Sequence, residues 1–243
     1  MKQLLNIVPV LIASIGLSAC GNDGGNEYDT RAIEALDQLS NVIGEMESCS
    51  FTLGVDRSSK VDADNWQTFS SESDVYMRGP DKLYVHVVGD QGNKGFWYNG
   101  SELGTFSFTK NTYDIVPASG DIIEAIDYIH NKYGVDFPAA DFFYPTLTDD
   151  IMEDFDHVYF MGEQVSGDKT YLLIEASNNN QRLNIWIDKA TNLPSEFEIF
   201  GINSEEHYAA QFLNWQIDPE IGDVVFDFIA PSNSDRVALK AKD

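Results

Sequence analysis

Cysteine is scarce in this chain: Cys20 and Cys49 are the two in 243 residues, too few for a disulfide framework once one has another task. Basic residues are scarce too, with 15 Lys and Arg against 40 Asp and Glu and a formal net charge of −25. Phosphate backbones are bound by clustered cations, so nucleic acid is excluded as a partner. An anionic lipid surface would likewise repel the domain itself. The four histidines, His86, His130, His157 and His207, have no metal-ligand spacing. There is no Gly-x-Ser-x-Gly, no Gly-rich phosphate loop and no His-Glu-x-x-His. Asp62-Ala63-Asp64-Asn65 opens like a calcium loop, but Gln67 and Ser73 stand where its Gly and final Glu belong, so it reads as a solvated hairpin tip. Forty carboxylates give close pairs by chance, so paired acids carry no weight for glycoside chemistry. The expectation is a protein without catalytic residues, metal or cofactor.

What is present begins at the N-terminus. Lys2 precedes an apolar run from Leu4 to Leu17, and small residues follow. A positive start, a short apolar segment and small residues make a secretory signal, not a membrane span. Its ending, Leu17-Ser18-Ala19-Cys20, resembles the lipobox of bacterial lipoproteins. The resemblance implies a signal peptide over 1–19, cleavage before Cys20, and acylation of Cys20 with palmitate-type chains. Gly21 stands where an Asp would resemble the inner-membrane retention signal, which favours the outer membrane, periplasm-facing. A multiply acylated residue is a stable anchor. Residues 20–28 are polar and glycine-rich and read as a flexible tether of roughly 15–20 Å. A domain so held would act as a local acceptor, not a diffusing shuttle. Cys49 is then left without a partner and reads as a buried, inert thiol.

The domain is expected over 29–232, with a polar, frayed tail over 233–243. Asp29 or Thr30 can cap an amphipathic helix that carries Ile33, Leu36, Ile43 and Met46 and ends near Glu47. Strands follow at Phe51–Val55, Trp66–Met77 and Leu83–Val88. Phe96-Trp97-Tyr98 then meets Asn99-Gly100, a two-residue hairpin signal, and Leu103–Phe108 returns. Asp121-x-x-Glu124 is a capping box for a helix with Ile122, Ile126 and Ile129 on one face, stopped by Gly134. Pro138–Tyr144 and Thr148–Asp154 suggest two more short helices. Strand patterns resume at His157–Val165, Thr170–Ala176, Arg182–Asp188, Glu196–Phe200 and His207–Ile217, with a last short one at Val224–Ile229. Short strands joined by tight turns, interrupted by helices, predict an α+β fold with an antiparallel meander.

Several blocks together resemble the predicted periplasmic proteins grouped as domain of unknown function 2092. They are Arg31-Ala32-Ile33-Glu34-Ala35-Leu36-Asp37, Arg78-Gly79-Pro80-Asp81-Lys82-Leu83, Phe96-Trp97-Tyr98-Asn99-Gly100, the Tyr133–Asp141 segment, and Trp186-Ile187-Asp188 with Leu193-Pro194. The resemblance covers the whole domain. One departure, at the end of the last expected strand, is Pro231-Ser232-Asn233-Ser234, where the family often has Pro-x-Gly-Ala. The resemblance implies a LolA-like fold: a strongly curved antiparallel sheet, an open half-barrel, with helices packed in its concave face. It also implies the handling of lipid or acylated molecules.

The functional expectation is a membrane-anchored, non-catalytic protein that binds or accepts a hydrophobic ligand, a lipid or acylated molecule, in an apolar cavity. Strand faces supply the candidate lining: Leu83, Val85, Val87, Trp97, Phe106, Phe108, Leu183, Ile185 and Ile187. The rival is an envelope scaffold whose core is filled by its own side chains. An uncharacterised hydrolase ranks below both.

Overall fold

A computed structural model describes residues 26–62, 65–202 and 206–242. The signal segment, Cys20 and residues 21–25 of the tether lie outside the described residues. Glu27–Tyr28, counted with the tether from the sequence, instead forms a short strand, β1. The Tyr28 hydroxyl donates to the Met152 carbonyl at 2.6 Å.

Helix α1 spans Thr30–Gly44, and Asp29 caps it by accepting the Arg31 amide. Its buried stripe is Ala32, Leu36, Leu39 and Ile43, the spacing that one helical face requires. The meander then runs through β2 (Ser48–Lys60), β3 (Trp66–Arg78), β4 (Lys82–Gly89), β5 (Gly92–Tyr98), β6 (Glu102–Ser107) and β7 (Thr112–Pro117). The β5–β6 turn centres one residue later than the Asn-Gly signal suggests. Gly100 has a φ of 92°, and Asn99 Oδ1 accepts the Ser101 and Glu102 amides, closing an Asx turn. Helix α2 covers Ile122–Tyr133, with the Asp121–Glu124 capping box formed and Gly134 left-handed at φ 67°. Ala140–Phe143 is a 3₁₀ turn, and α3 covers Leu147–Asp154. Strands β8 (His157–Ser166), β9 (Lys169–Ser177), β10 (Gln181–Asp188), β11 (Pro194–Gly201), β12 (His207–Ile217) and β13 (Asp235–Arg236) complete the chain.

All thirteen strands join one open sheet in the order β1-β8-β9-β10-β11-β12-β2-β3-β4-β5-β6-β7-β13. Pairing is antiparallel except at the two edges, where β1 lies parallel to β8 and β13 parallel to β7. Very short outer strands of this kind blunt an edge. Bulges at Phe160–Gly162, Trp186–Ile187 and Leu213–Gln216 add local twist. Side chains from β2 through β12 share a single buried cluster with α1, α2 and α3, so the sheet curls around its helices. The expected α+β architecture, an open antiparallel sheet holding helices on one face, is the one observed.

Two stretches near the C-terminus differ from expectation. Val224–Ile229 is not a strand: Asp223–Val225 is a 3₁₀ turn, and the chain crosses the outer face of the sheet. Phe226 is buried there under Arg78, and Phe228 packs on Trp97. Gly104 makes room for it, because a Cβ at that position would lie 2.4 Å from the Phe228 Cβ. The described residues of the tail, up to Lys242, are not frayed. Arg236 Nε and the Leu239 amide both donate to the Asp114 carboxylate, and the Lys242 amide reaches the Lys132 carbonyl at the end of α2.

Candidate functional site

The nine residues expected to line a cavity fall into three groups. Leu83, Val85 and Val87 lie on the inner face of β4, opposite Met77, Val75 and Ser73 of β3. Leu183, Ile185 and Ile187 also face the helices, but at no more than 1% exposure they are packed solid against β9 and β11. Trp97, Phe106 and Phe108 lie on the outer face. Register decides this: Leu83 pairs with Tyr98 and Val85 with Phe96, so Trp97 pairs with Tyr84 on the opposite side. Phe106 pairs with Gly95 on that same outer side and shares it with Phe228 and Phe108. The inner-face aromatics of β5 are therefore Phe96 and Tyr98.

Three cavities lie between β2–β5 and the cover made by α2 and the segment that follows it. An apolar pocket of about 30 Å³ sits in the middle, lined by Phe51, Leu53, Val75, Leu83, Val85 and Ile126, among others. A second, of about 180 Å³, opens beside Val55, Arg57, Val87, Lys94 and Tyr208 and shares Phe137 and Pro138 with the first. A third, of about 250 Å³, opens beside Met46, Cys49 and Ile122 and shares Met77 and Phe143 with the middle one. Successive inner-face residues of β2 mark the path: Cys49, then Phe51 and Leu53, then Val55 and Arg57. Eight residues of strand span about 27 Å. The three cavities thus form one interrupted groove along the sheet.

The cover is held at its ends. The Ile122 amide donates to the Pro80 carbonyl and the Tyr98 hydroxyl to the Gly120 carbonyl at 2.6 Å. At the other end, His130 Nδ1 and Asp136 Oδ1 are 2.7 Å apart, and the Lys132 carbonyl accepts the C-terminal tail. Between these ties Ile122, Ala125, Ile126 and Ile129 face inward, and Tyr144 donates to Asp127. Helix α1 lies close against α3, β8 and the 3₁₀ turn, whereas α2 approaches no described strand or helix as closely and packs on the sheet through the buried side chains of Ile122, Ala125, Ile126 and Ile129.

Polarity changes along the groove. At the Cys49 end, burial pushes the thiol up to about 12, with the nearby Asp218 carboxylate adding to it, so Cys49 is neutral and unreactive. At the far end, Arg57, Lys94, Asp136, Asp141 and Tyr208 gather around the opening. Tyr208 is cross-strand partner to Arg57 and stacks on Phe197 with centroids 5.5 Å apart. Burial raises its phenol above the ordinary value; Arg57 opposes the shift, and Asp141 and Asp136 reinforce it. Neither Arg57 nor Tyr208 stood out in the sequence, because their meeting depends on long-range strand pairing. Among the described residues no group of His, Cys, Asp and Glu could hold a metal ion. The histidines are dispersed: His86 meets Asn93, His130 meets Asp136, His157 stacks near Tyr159, and His207 stacks on Phe200. No helix among the described residues is long and apolar enough to cross a membrane.

Comparison with solved structures finds a likeness of fold. An uncharacterized conserved protein from Thermus thermophilus superposes with a TM-score of 0.51 at 11% identity, covering 86% of this chain and 99% of its own. Looser likenesses are the Mycobacterium tuberculosis lipoprotein LppX (TM-score 0.45, 14% identity, 77% and 96% covered) and a LolA superfamily protein from Nitrosomonas europaea (0.34, 11%, 81% and 97%). No curated protein sequence matches this chain. Residues 32–240 match the family described as predicted periplasmic protein, DUF2092, and the chain belongs to that family.

Proposed function

We propose that this protein binds one acyl-bearing ligand in the groove beneath α2 and acts as a non-catalytic acceptor or carrier. The observation that carries the reading is the string of three cavities, joined by shared lining residues, beneath α2 and the segment that follows it. A methylene transferred from water into such a groove contributes about 0.8 kcal/mol. A chain passing through the narrow middle requires α2 to lift and Ile126 to move aside. The proposed anchor at Cys20 would hold this groove within reach of the membrane, so ligand is taken up or delivered locally.

The test is native mass spectrometry of the full chain carrying Cys20→Ala, with titration by a fluorescent fatty acid. Co-purified lipid and saturable binding are expected, and Ile126→Phe, which fills the middle pocket, should reduce both. Loss of neither, or no binding by the unaltered groove, would overturn the reading. The anchor is tested separately by the mass of the mature N-terminal peptide, which should carry acyl chains on Cys20.

The scaffold reading keeps one specific support: the β8–β12 half of the inner face is filled by Leu183, Ile185, Ile187 and Phe197. It expects no lipid in the purified protein and a protein partner captured by cross-linking.

A further inference from the structure

The opening beside Arg57 is built differently from the rest of the groove. Beside apolar Val55, Val87 and Phe137, its walls carry Ser71, Gln91 and Lys94 with Arg57 and Tyr208, whereas the middle pocket is lined almost wholly by apolar side chains. Tyr208 is 4% exposed, yet it lines this cavity and its hydroxyl has no hydrogen-bond partner among the described residues. A buried hydroxyl without a partner costs free energy that an incoming acceptor recovers. Two of the chain's 15 Lys and Arg residues, Arg57 and Lys94, border the same opening. Two carboxylates are there as well. Asp136 is held by His130 Nδ1, and Asp141 is 1% exposed within the 3₁₀ turn.

We infer that this opening is a head-group site. It takes the anionic oxygen head, carboxylate or phosphate monoester, of a single-chain amphiphile whose tail lies along the groove toward Cys49. The inference rests on the acyl-binding reading above and deepens it by naming the ligand class and its orientation. Tyr208 supplies a neutral O–H donor at the inner wall. Its raised pKa keeps that proton in place throughout the physiological range, so the group donates to an oxygen acceptor and does not compete as an anion. Lys94, opposite Val87 on β5, supplies charge at the solvent side. Arg57, beside Tyr208 on β2, supplies charge at the inner side. The apolar tail then meets Val55 and Val87 first, Leu53 and Val85 next, and Phe51 and Met77 last.

The test uses the full chain carrying Cys20→Ala and two probes, 11-(dansylamino)undecanoic acid and its methyl ester. The acid should bind about tenfold more tightly than the ester, the worth of one hydrogen bond to a charged acceptor. Tyr208→Phe keeps the ring on Phe197 and should erase most of that ratio while leaving ester affinity within about twofold. Lys94→Ala, at the exposed rim where folding is not at stake, should narrow the ratio further at low salt than at high salt. Competition by oleate and by oleoyl lysophosphatidate separates the two sources of an anionic head; displacement by either supports the site. Equal binding of acid and ester, unchanged by both substitutions, would overturn the head-group site and leave the groove standing. Failure of both probes to bind would overturn the groove reading and this inference together.

Discussion

The inner face of the sheet has a packed half and a hollow half, built from strands that look alike in sequence. In the packed half, Ile174, Leu183, Ile185, Ile187 and Phe197 meet Leu36, Leu39, Phe142, Leu147 and Ile151, all at 1% exposure or less. In the hollow half Leu53 is as buried, at 1%, but Phe51, Val55, Val75, Met77, Leu83 and Val85, which alternate just as regularly, are 4–9% exposed, and all seven border cavities. The strands do not make this difference; the helices above them do. Helix α1 brings Ala32 to its buried face and lies close on its neighbours. Helix α2 presents Ile122, Ile126 and Ile129, is tied to the Pro80 carbonyl and the C-terminal tail at its ends, and borders cavities with Ile122 and Ile126. Alternation sets which residues turn inward, and the cover decides whether they become core or lining.

The largest expected effect lies in the packed half. Phe197→Ala removes a ring enclosed by Phe142, Tyr208 and Phe212, and should cost about 3–5 kcal/mol in denaturant unfolding. A loss below about 1 kcal/mol would mean that this half is not the solid core described. A matched pair of enlargements contrasts the halves directly. Ile185→Phe should cost about 1–3 kcal/mol by overpacking. Ile126→Phe should cost less than about 1 kcal/mol, because a pocket of about 30 Å³ lies beside it. If the two substitutions cost the same, the halves do not differ in packing, and the groove loses its basis.

The outer face sharpens the contrast. Strands β4–β6 of the hollow half are backed by Trp97, Phe106 and Phe228. Gly104→Val would drive its side chain into Phe228 and lift the crossing segment, at a cost of about 1–2 kcal/mol. Limited proteolysis should then cut near 224–230, and Trp97 emission should shift. An unchanged digestion pattern would show that the segment is not held by Phe228.

Much of this architecture was legible in the chain, because it is written in local periodicity. The alternation of Leu183, Ile185 and Ile187, the Asp121–Glu124 box and Gly134 each act over a few residues, and each appears in the structure as expected. The outer-face placement of Trp97, Phe106 and Phe108 was not legible in the same way. Phe96, Trp97 and Tyr98 are all aromatic, so composition does not reveal which parity faces inward. A usable signal was Gly95 and Gly104, bare positions on the outer face where large rings lie across the backbone. The folding-back of Phe228, the Asp114 contact with Arg236, and the meeting of Tyr208 with Arg57 all join segments that local pattern cannot pair. The path of the groove depends on these meetings, so its candidate lining was named only in part.

The smallest expected effect concerns what holds the cover. The packed half keeps α1 by burial beyond its first turn, and the Asp29 cap, held below its ordinary value by Arg31, is acid-sensitive only at that first turn. Helix α2 is tied at its C-terminal end by the tail, and the tail is tied to Asp114. Burial raises the Asp114 pKa, but the Leu239 amide and the Arg236 guanidinium outweigh it and hold the carboxyl below its ordinary value. A carboxylate depressed in the folded state contributes stability above its unfolded pKa, and that contribution is lost as pH falls through the folded value. Hydrogen exchange, corrected for intrinsic rate, should therefore show α2 losing protection relative to α1 as the pH is lowered below about 4, the ordinary value of an Asp carboxyl. Asp114→Asn should produce about 1 kcal/mol of the same loosening at neutral pH. If α1 and α2 lose protection together, the tail is not the tie, and the hollow half is held shut by packing after all.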